Sequence, residues 1–136
     1  MSATERKSQT QLKSIAPQFA VPDVIVAAEY YRDILGFRIL GYFGQPPVFS
    51  IVARDNVAIQ LGKCDPIAGS AHNSVQRKDS LDAYVWVTDV DALYAEIKER
   101  GANIIEPPQL RVYHCYEMVV EDRFGFRLAF AMDTAE

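Results

Sequence analysis

The chain has 136 residues, 49% of them apolar and 24% charged, with a net charge of −4. That is one domain's worth of chain, able to bury about two-thirds of its extended surface. The negative balance argues against a nucleic-acid surface, which needs clustered Lys and Arg interleaved with aromatics, and no apolar run approaches the ~20 residues of a membrane span.

MSATERKSQTQLK is polar, so residues 1–14 read as a mobile lead-in without the apolar stretch of a signal peptide. Ile15 to Val21 is short and alternating, which suits a strand. Asp23 then stands where an N-cap would, ahead of an apolar stripe at Val24, Ala27, Ala28, Tyr31, Ile34 and Leu35, and Gly36 marks the stop. The two neighbouring tyrosines, Tyr30 and Tyr31, are spaced so that one of them enters the core. Three strand-like runs follow, near Phe37–Phe43, Pro47–Ala53 and Val57–Leu61, separated by turns at Gln45-Pro46-Pro47 and Arg54-Asp55-Asn56. Residues 63–80 are polar and rich in turn formers, a linker or functional loop.

The same order then restarts. Tyr84 to Val87 reads as a strand, and Thr88 or Asp89 as a helix cap, with Asp91 placed for a capping box. Val90, Leu93, Tyr94 and Ile97 form a helical stripe that ends at Gly101. Strands are expected at about Asn103–Ile105, Tyr113–Glu121 and Phe126–Met132, with a hairpin turn at Arg123-Phe124-Gly125. The chain therefore reads βαβββ, loop, βαβββ: one α+β domain over residues 15–132, with modules at about 15–62 and 81–132 joined by the loop 63–80. Side by side, the modules predict one curved mixed sheet, with helices on the convex face and a trough lined by both halves on the other.

Alternation assigns the trough residues. If Asp82 faces it, so do Tyr84 and Trp86, while Ala83, Val85 and Val87 back onto the helices. By the same parity Gln18 joins Ala16, Gln60 joins Ala58, and Arg127 lies beside Ala129. Gln18, Gln60, Asp82, Tyr84, Trp86 and Arg127, with His114 at the rim, supply flat apolar surfaces and a few hydrogen-bonding groups, the make-up of a ligand pocket. Tyr84 and Trp86 could equally fill a core or a dimer contact, and Asp82 with Arg127 could be a plain salt bridge across the trough. Cys64 and Cys115 follow no metal or redox spacing, so a reduced, cytoplasmic protein is expected.

VPDVIVAAEYYRDILGF in the first half, with VWVTDVDALYAEIKERGA and VVEDRFGFRLAF in the second, resembles the vicinal-oxygen-chelate superfamily. That superfamily includes glyoxalase I, extradiol dioxygenases, and fosfomycin- and bleomycin-resistance proteins, and YVWVTDVDALYAEI is most similar to the bleomycin-resistance branch. The resemblance implies the glyoxalase/bleomycin-resistance fold. In the enzymes it also implies a divalent metal held by the first and last strands of each half. Here those positions carry Ala16, Gln60, Asp82 and Ala129. Two methyl groups, an amide and one carboxylate are too few donors, so neither a metal nor any other cofactor is expected. A set rebuilt from Asp82, His114 and Glu117 fails because alternation turns His114 and Glu117 to opposite faces.

The reading is a metal-free, dimeric small-molecule-binding protein, expected to sequester a planar or cationic toxic compound; antibiotic resistance is the implied setting. The strand VYHCYEM departs from the antibiotic binders in lacking a tryptophan and a glycine, which weighs against bleomycin itself. The rival is a metal-dependent glyoxalase-like lyase or dioxygenase with a rearranged site. A third reading is a regulatory or structural module whose trough is filled by its own side chains.

Overall fold

The computed structural model describes residues 9–65 and 78–134. Residues 9–14 are exposed and without regular structure; most of the loop expected at 63–80 lies outside the described residues. The first module contains β1 (Gln18–Val21), α1 (Val24–Asp33), β2 (Arg38–Phe43), β3 (Phe49–Arg54) and β4 (Val57–Lys63). The second contains β5 (Ala83–Trp86), α2 (Val90–Glu99), β6 (Asn103–Leu110), β7 (Cys115–Glu121) and β8 (Arg127–Asp133).

Both helices start where an aspartate can accept from otherwise unpaired N–H groups. Asp23 accepts from Ile25 and Val26, and Asp89 from Ala92. Asp89 is thus the cap rather than Thr88, and Asp91, expected in a capping box, instead accepts from the Tyr116 hydroxyl at 2.7 Å. The glycine stops form as expected. Gly101, at φ +93°, closes α2 in a Schellman motif, its own N–H returning to Lys98 and that of Ala102 to Ile97. Gly36, at φ +78°, has a second reason to lack a side chain: a Cβ there would lie 2.7 Å from Arg54 Nη1.

The strands are hydrogen-bonded as two four-stranded sheets, β1-β4-β3-β2 and β5-β8-β7-β6, rather than as one continuous ladder. In each module the first strand pairs in parallel with the last, Gln18 beside Gln60 and Tyr84 beside Ala129, and the remaining pairings are antiparallel. This closes each βαβββ unit on itself. α1 packs on its own sheet and α2 on the other.

The strand limits shift by a residue or more from those read in the sequence, and three of the shifts have a clear cause. β1 begins at Gln18, leaving Ile15 exposed. β6 runs on to Leu110 through Pro107 and Pro108, because an edge strand can do without the proline N–H groups; its pairing with β7 is interrupted by register shifts around that segment. β7 begins at Cys115, since the preceding hairpin needs a left-handed residue and takes His114 at φ +67°.

One apolar core runs through both modules, from Phe19, Val21, Tyr31 and Ile59 in the first to Ile97, Met118, Leu128 and Phe130 in the second. Phe19 and Phe126 stack at 4.4 Å across the junction. Polar contacts tie the same junction at two places. Tyr31, fully buried, donates to Asp122 at 2.7 Å, and Arg54 forms a two-pronged pair with Glu96 at 2.9 and 3.0 Å. Burial pushes the Asp122 carboxyl above its ordinary pKa, against the Tyr31 and backbone hydrogen bonds that lower it.

Candidate ligand site on the second sheet

Strand alternation sorts β5 as expected. Val85 is buried in the core, whereas Tyr84 and Trp86 stand out on the other face, 38% and 61% exposed. Their rings meet edge to face, with centroids 5.2 Å apart. Beneath them lie Ala129 and Ala131 of β8, their register partners, both buried. The small methyl groups leave the two large rings room to lie on the sheet.

On β7 the same face carries Glu117, paired in register with Ala131. This carboxylate is only 2% exposed. It accepts from the Tyr84 hydroxyl at 2.5 Å, the Tyr113 hydroxyl at 3.0 Å and Arg111 Nε at 3.0 Å. Arg111 also bonds Glu106, so its guanidinium bridges two carboxylates from the hairpin between β6 and β7. A buried carboxylate is tolerated only when its lone pairs are taken, and here three donors take them. Burial, reinforced by the Glu117 bond, raises the Tyr84 hydroxyl well above the ordinary tyrosine range, so the phenol stays neutral and its proton stays committed to Glu117. The Tyr113 hydroxyl is raised for the same two reasons. Hydrogen bonding to Glu106 leads the causes that raise Arg111. Tyr84, Tyr113 and Arg111 therefore keep their protons near neutrality and offer them as hydrogen bonds.

The cluster borders a cavity of about 400 Å³ whose lining includes Asp79, Glu106, Arg111, Tyr113, Glu117 and Arg127. Arg127 reaches it from β8, its guanidinium held by Glu121 at 3.3 Å and by the carbonyl of Lys78 at 3.0 Å.

Of the residues singled out in the sequence, Tyr84, Trp86 and Arg127 share this face. Gln18 and Gln60 meet each other at 3.0 Å on the first sheet and line neither this cavity nor the larger one between the modules. Asp82 and Arg127 do not form the side-chain salt bridge anticipated for them. Asp82 accepts from the Arg127 backbone N–H at 2.8 Å, which fixes the start of β5 against β8 and leaves the guanidinium to Glu121. His114 sits in the β6–β7 hairpin, its carbonyl accepting from Thr134.

Alternation places Glu117 inward, but the sequence reading weighed it only as a metal ligand. A charged residue inside the run CYEMVV was the available signal. Arg111, Tyr113 and Glu106 carry none, because only the hairpin brings them to Glu117.

The donor set does not fit a divalent ion. Ala16 and Ala129 offer methyl groups, the Gln60 amide oxygen accepts from Gln18, and Asp82 is spent on a backbone N–H. Among the described residues no three His, Cys, Asp or Glu side chains gather closely enough to hold a metal.

Solved structures share this architecture. TioX from Micromonospora sp. ML1 superposes with a TM-score of 0.69 at 19% identity, over 89% of this chain and 98% of its own. A bleomycin resistance determinant encoded on the transposon Tn5 gives 0.69 at 17% identity, over 91% and 100%. A glyoxalase-related enzyme from Clostridium phytofermentans gives 0.72 at 14% identity, over 93% and 99%. At such identities the likeness is one of fold. No curated protein matches the sequence. The family model of the Glyoxalase/Bleomycin resistance protein/Dioxygenase superfamily matches residues 11–130, nearly the whole α+β double module, and the chain belongs to that superfamily.

Proposed function

We propose that the protein binds a small organic molecule, without a metal, on the face of the second sheet that carries Tyr84, Trp86 and Glu117. The observation that carries this reading is the pairing of opposites at one spot. A carboxylate almost fully withdrawn from water anchors a tyrosine whose ring, with that of Trp86, is left open to solvent. Two adjacent exposed aromatic faces give a planar compound a stacking surface, and the lining carboxylates and guanidinium groups of the cavity supply orientation. Binding and sequestration of a planar or cationic toxic compound is the activity this suits. A bleomycin-binding protein solved with bleomycin shares the fold at 17% identity and a TM-score of 0.69. Gln18, Gln60, Asp82 and His114 act outside the cavity, as supports of the strands and hairpin around it.

The protein is further proposed to work as a cytoplasmic homodimer. Leu40, Phe43 and Val48 on one hairpin and Leu110 and Val112 on the other are exposed, more apolar surface than isolated side chains explain. No helix is long and apolar enough to cross a membrane among the described residues, and neither Cys64 nor Cys115 is in a disulfide.

Titration of the single tryptophan's fluorescence with a library of planar and cationic compounds tests the binding reading. Saturable quenching is expected, and it should survive dialysis against EDTA. A response that disappears with EDTA and returns with Zn, Ni, Fe or Mn would favour the metal-dependent lyase or dioxygenase instead. Sedimentation at micromolar concentration tests the dimer; a monomer there contradicts it.

A further inference from the structure

The two ends of the module junction are equivalent in sequence position but not in bulk. The seventh and eighth residues after the α1 cap are Tyr30 and Tyr31, and those after the α2 cap are Glu96 and Ile97. On the α1 side both tyrosines lie against the opposite module: Tyr31 bonds Asp122, while Tyr30 donates to the Glu121 carbonyl and accepts from the Asn103 N–H. Two rings fill that end. On the α2 side the shorter Glu96 reaches Arg54, and a groove of about 500 Å³ remains between the modules.

The groove shares no lining residue with the cavity beside Glu117, but Trp86 of the proposed ligand face also borders it. Its walls are apolar, with Leu35, Phe37 and Val57 from the first module and Leu93 and Phe130 from the second. Four charged side chains line it: Arg54, Asp55, Asp89 and Glu96. The one base among them is paired: Arg54 donates to both Glu96 oxygens and to the Leu35 carbonyl at 2.8 Å. An anion would therefore meet a guanidinium whose charge Glu96 already balances. Asp89 is occupied in capping α2, whose N-terminal partial charge of roughly +0.5 offsets part of its own. Asp55 is exposed at the rim, has no side-chain partner among the described residues, and remains uncompensated.

The geometry points to a second binding site in this groove, for a small lipophilic cation: an aromatic or aliphatic body between Phe37, Val57 and Leu93, with its ammonium group at Asp55. The site exists because the duplication placed Glu96 and Ile97 where the first copy has two tyrosines.

An amide-resolved NMR titration of the full chain with phenethylammonium tests it, with 3-phenylpropionate as an anion of similar shape. Saturable shifts are expected at residues 54–57 and 86–93 with the cation and none with the anion. Ala92→Phe, at an exposed position of α2 that lines the groove, should weaken the cation at least tenfold. Asp55→Asn should weaken it about fivefold, and its left-handed φ of +52° suits asparagine, so the turn is kept. Tyr113→Phe, which lines only the cavity beside Glu117, should leave the affinity unchanged. Should Ala92→Phe fail to fold, Asp55→Asn decides. The proposal is overturned if the cation gives no saturable shifts, if the anion binds as well, or if Tyr113→Phe abolishes binding while Asp55→Asn does not.

Discussion

The outer faces of the two sheets are built on the same βαβββ frame and have diverged completely in chemistry. On the first sheet that face presents Gln18 and Gln60 bonded to each other beside Ala58 and Gly62, with Phe43 and Phe49 tilted against each other at 6.0 Å toward the far edge and no carboxylate between them. On the second, a buried carboxylate gathers Tyr84, Tyr113 and Arg111 around itself, and Trp86 stands beside them. The frame needs only the helix-side alternation, the Asp caps and the glycine stops, and both copies keep those. What lies on the outer face is free to vary, so one copy can carry the site while the other supplies structure.

Substitutions on the two faces should separate accordingly. Glu117→Ala leaves three donors without their shared acceptor, and a cost of about 2–3 kcal/mol in chemical unfolding is expected, below the usual range for a broken buried pair because Arg111 keeps Glu106. A loss under about 1 kcal/mol would show that the cluster is solvated and loosely held. At the junction, Tyr31→Phe removes the donor to one Asp122 oxygen and should cost about 1–2 kcal/mol by the same measurement. Glu96→Gln should cost about 0.5–1 kcal/mol at neutral pH, because the Arg54–Glu96 pair is partly exposed. Hydrogen bonding to Arg54 holds the Glu96 carboxyl below its ordinary value of 4.5. A depressed folded-state pKa means stability present above the ordinary value and lost as pH falls through the depressed one, so the difference between wild type and Glu96→Gln should vanish in acid. The smallest effect belongs to the face of the first sheet. Gln60→Ala should change stability by about 0.5 kcal/mol or less, its partner Gln18 being exposed and able to bond water.

The frame was legible in the sequence because it rests on local signals. Asp23 and Asp89 mark caps, Gly36 and Gly101 mark stops, and the alternation around Val85 fixes which way Tyr84 and Trp86 point. The site was legible only in part, since its members come from separate elements. Trp86 and Tyr84 could be placed from one strand. Arg111 could not, because it reaches Glu117 and Glu106 only after His114 takes a left-handed turn and folds β6 onto β7. Asp82 shows the converse. Its charge suggests an ion pair with Arg127, but the start of a parallel strand pair offers a nearer backbone donor, and that donor takes it. β6 departs for a third reason: the strand expected at about Asn103–Ile105 runs on through Pro107 and Pro108, because an edge strand can do without their N–H groups.

The most direct test of a metal-free stacking site is calorimetric titration of EDTA-dialysed protein, wild type and Trp86→Ala, with the tightest compound found by fluorescence. The account predicts unchanged wild-type affinity after dialysis and a loss of about 1–3 kcal/mol in Trp86→Ala, with an unaltered melting temperature because that ring is 61% exposed. Binding that requires an added divalent metal, or a Trp86→Ala protein that binds as tightly as wild type, would contradict it.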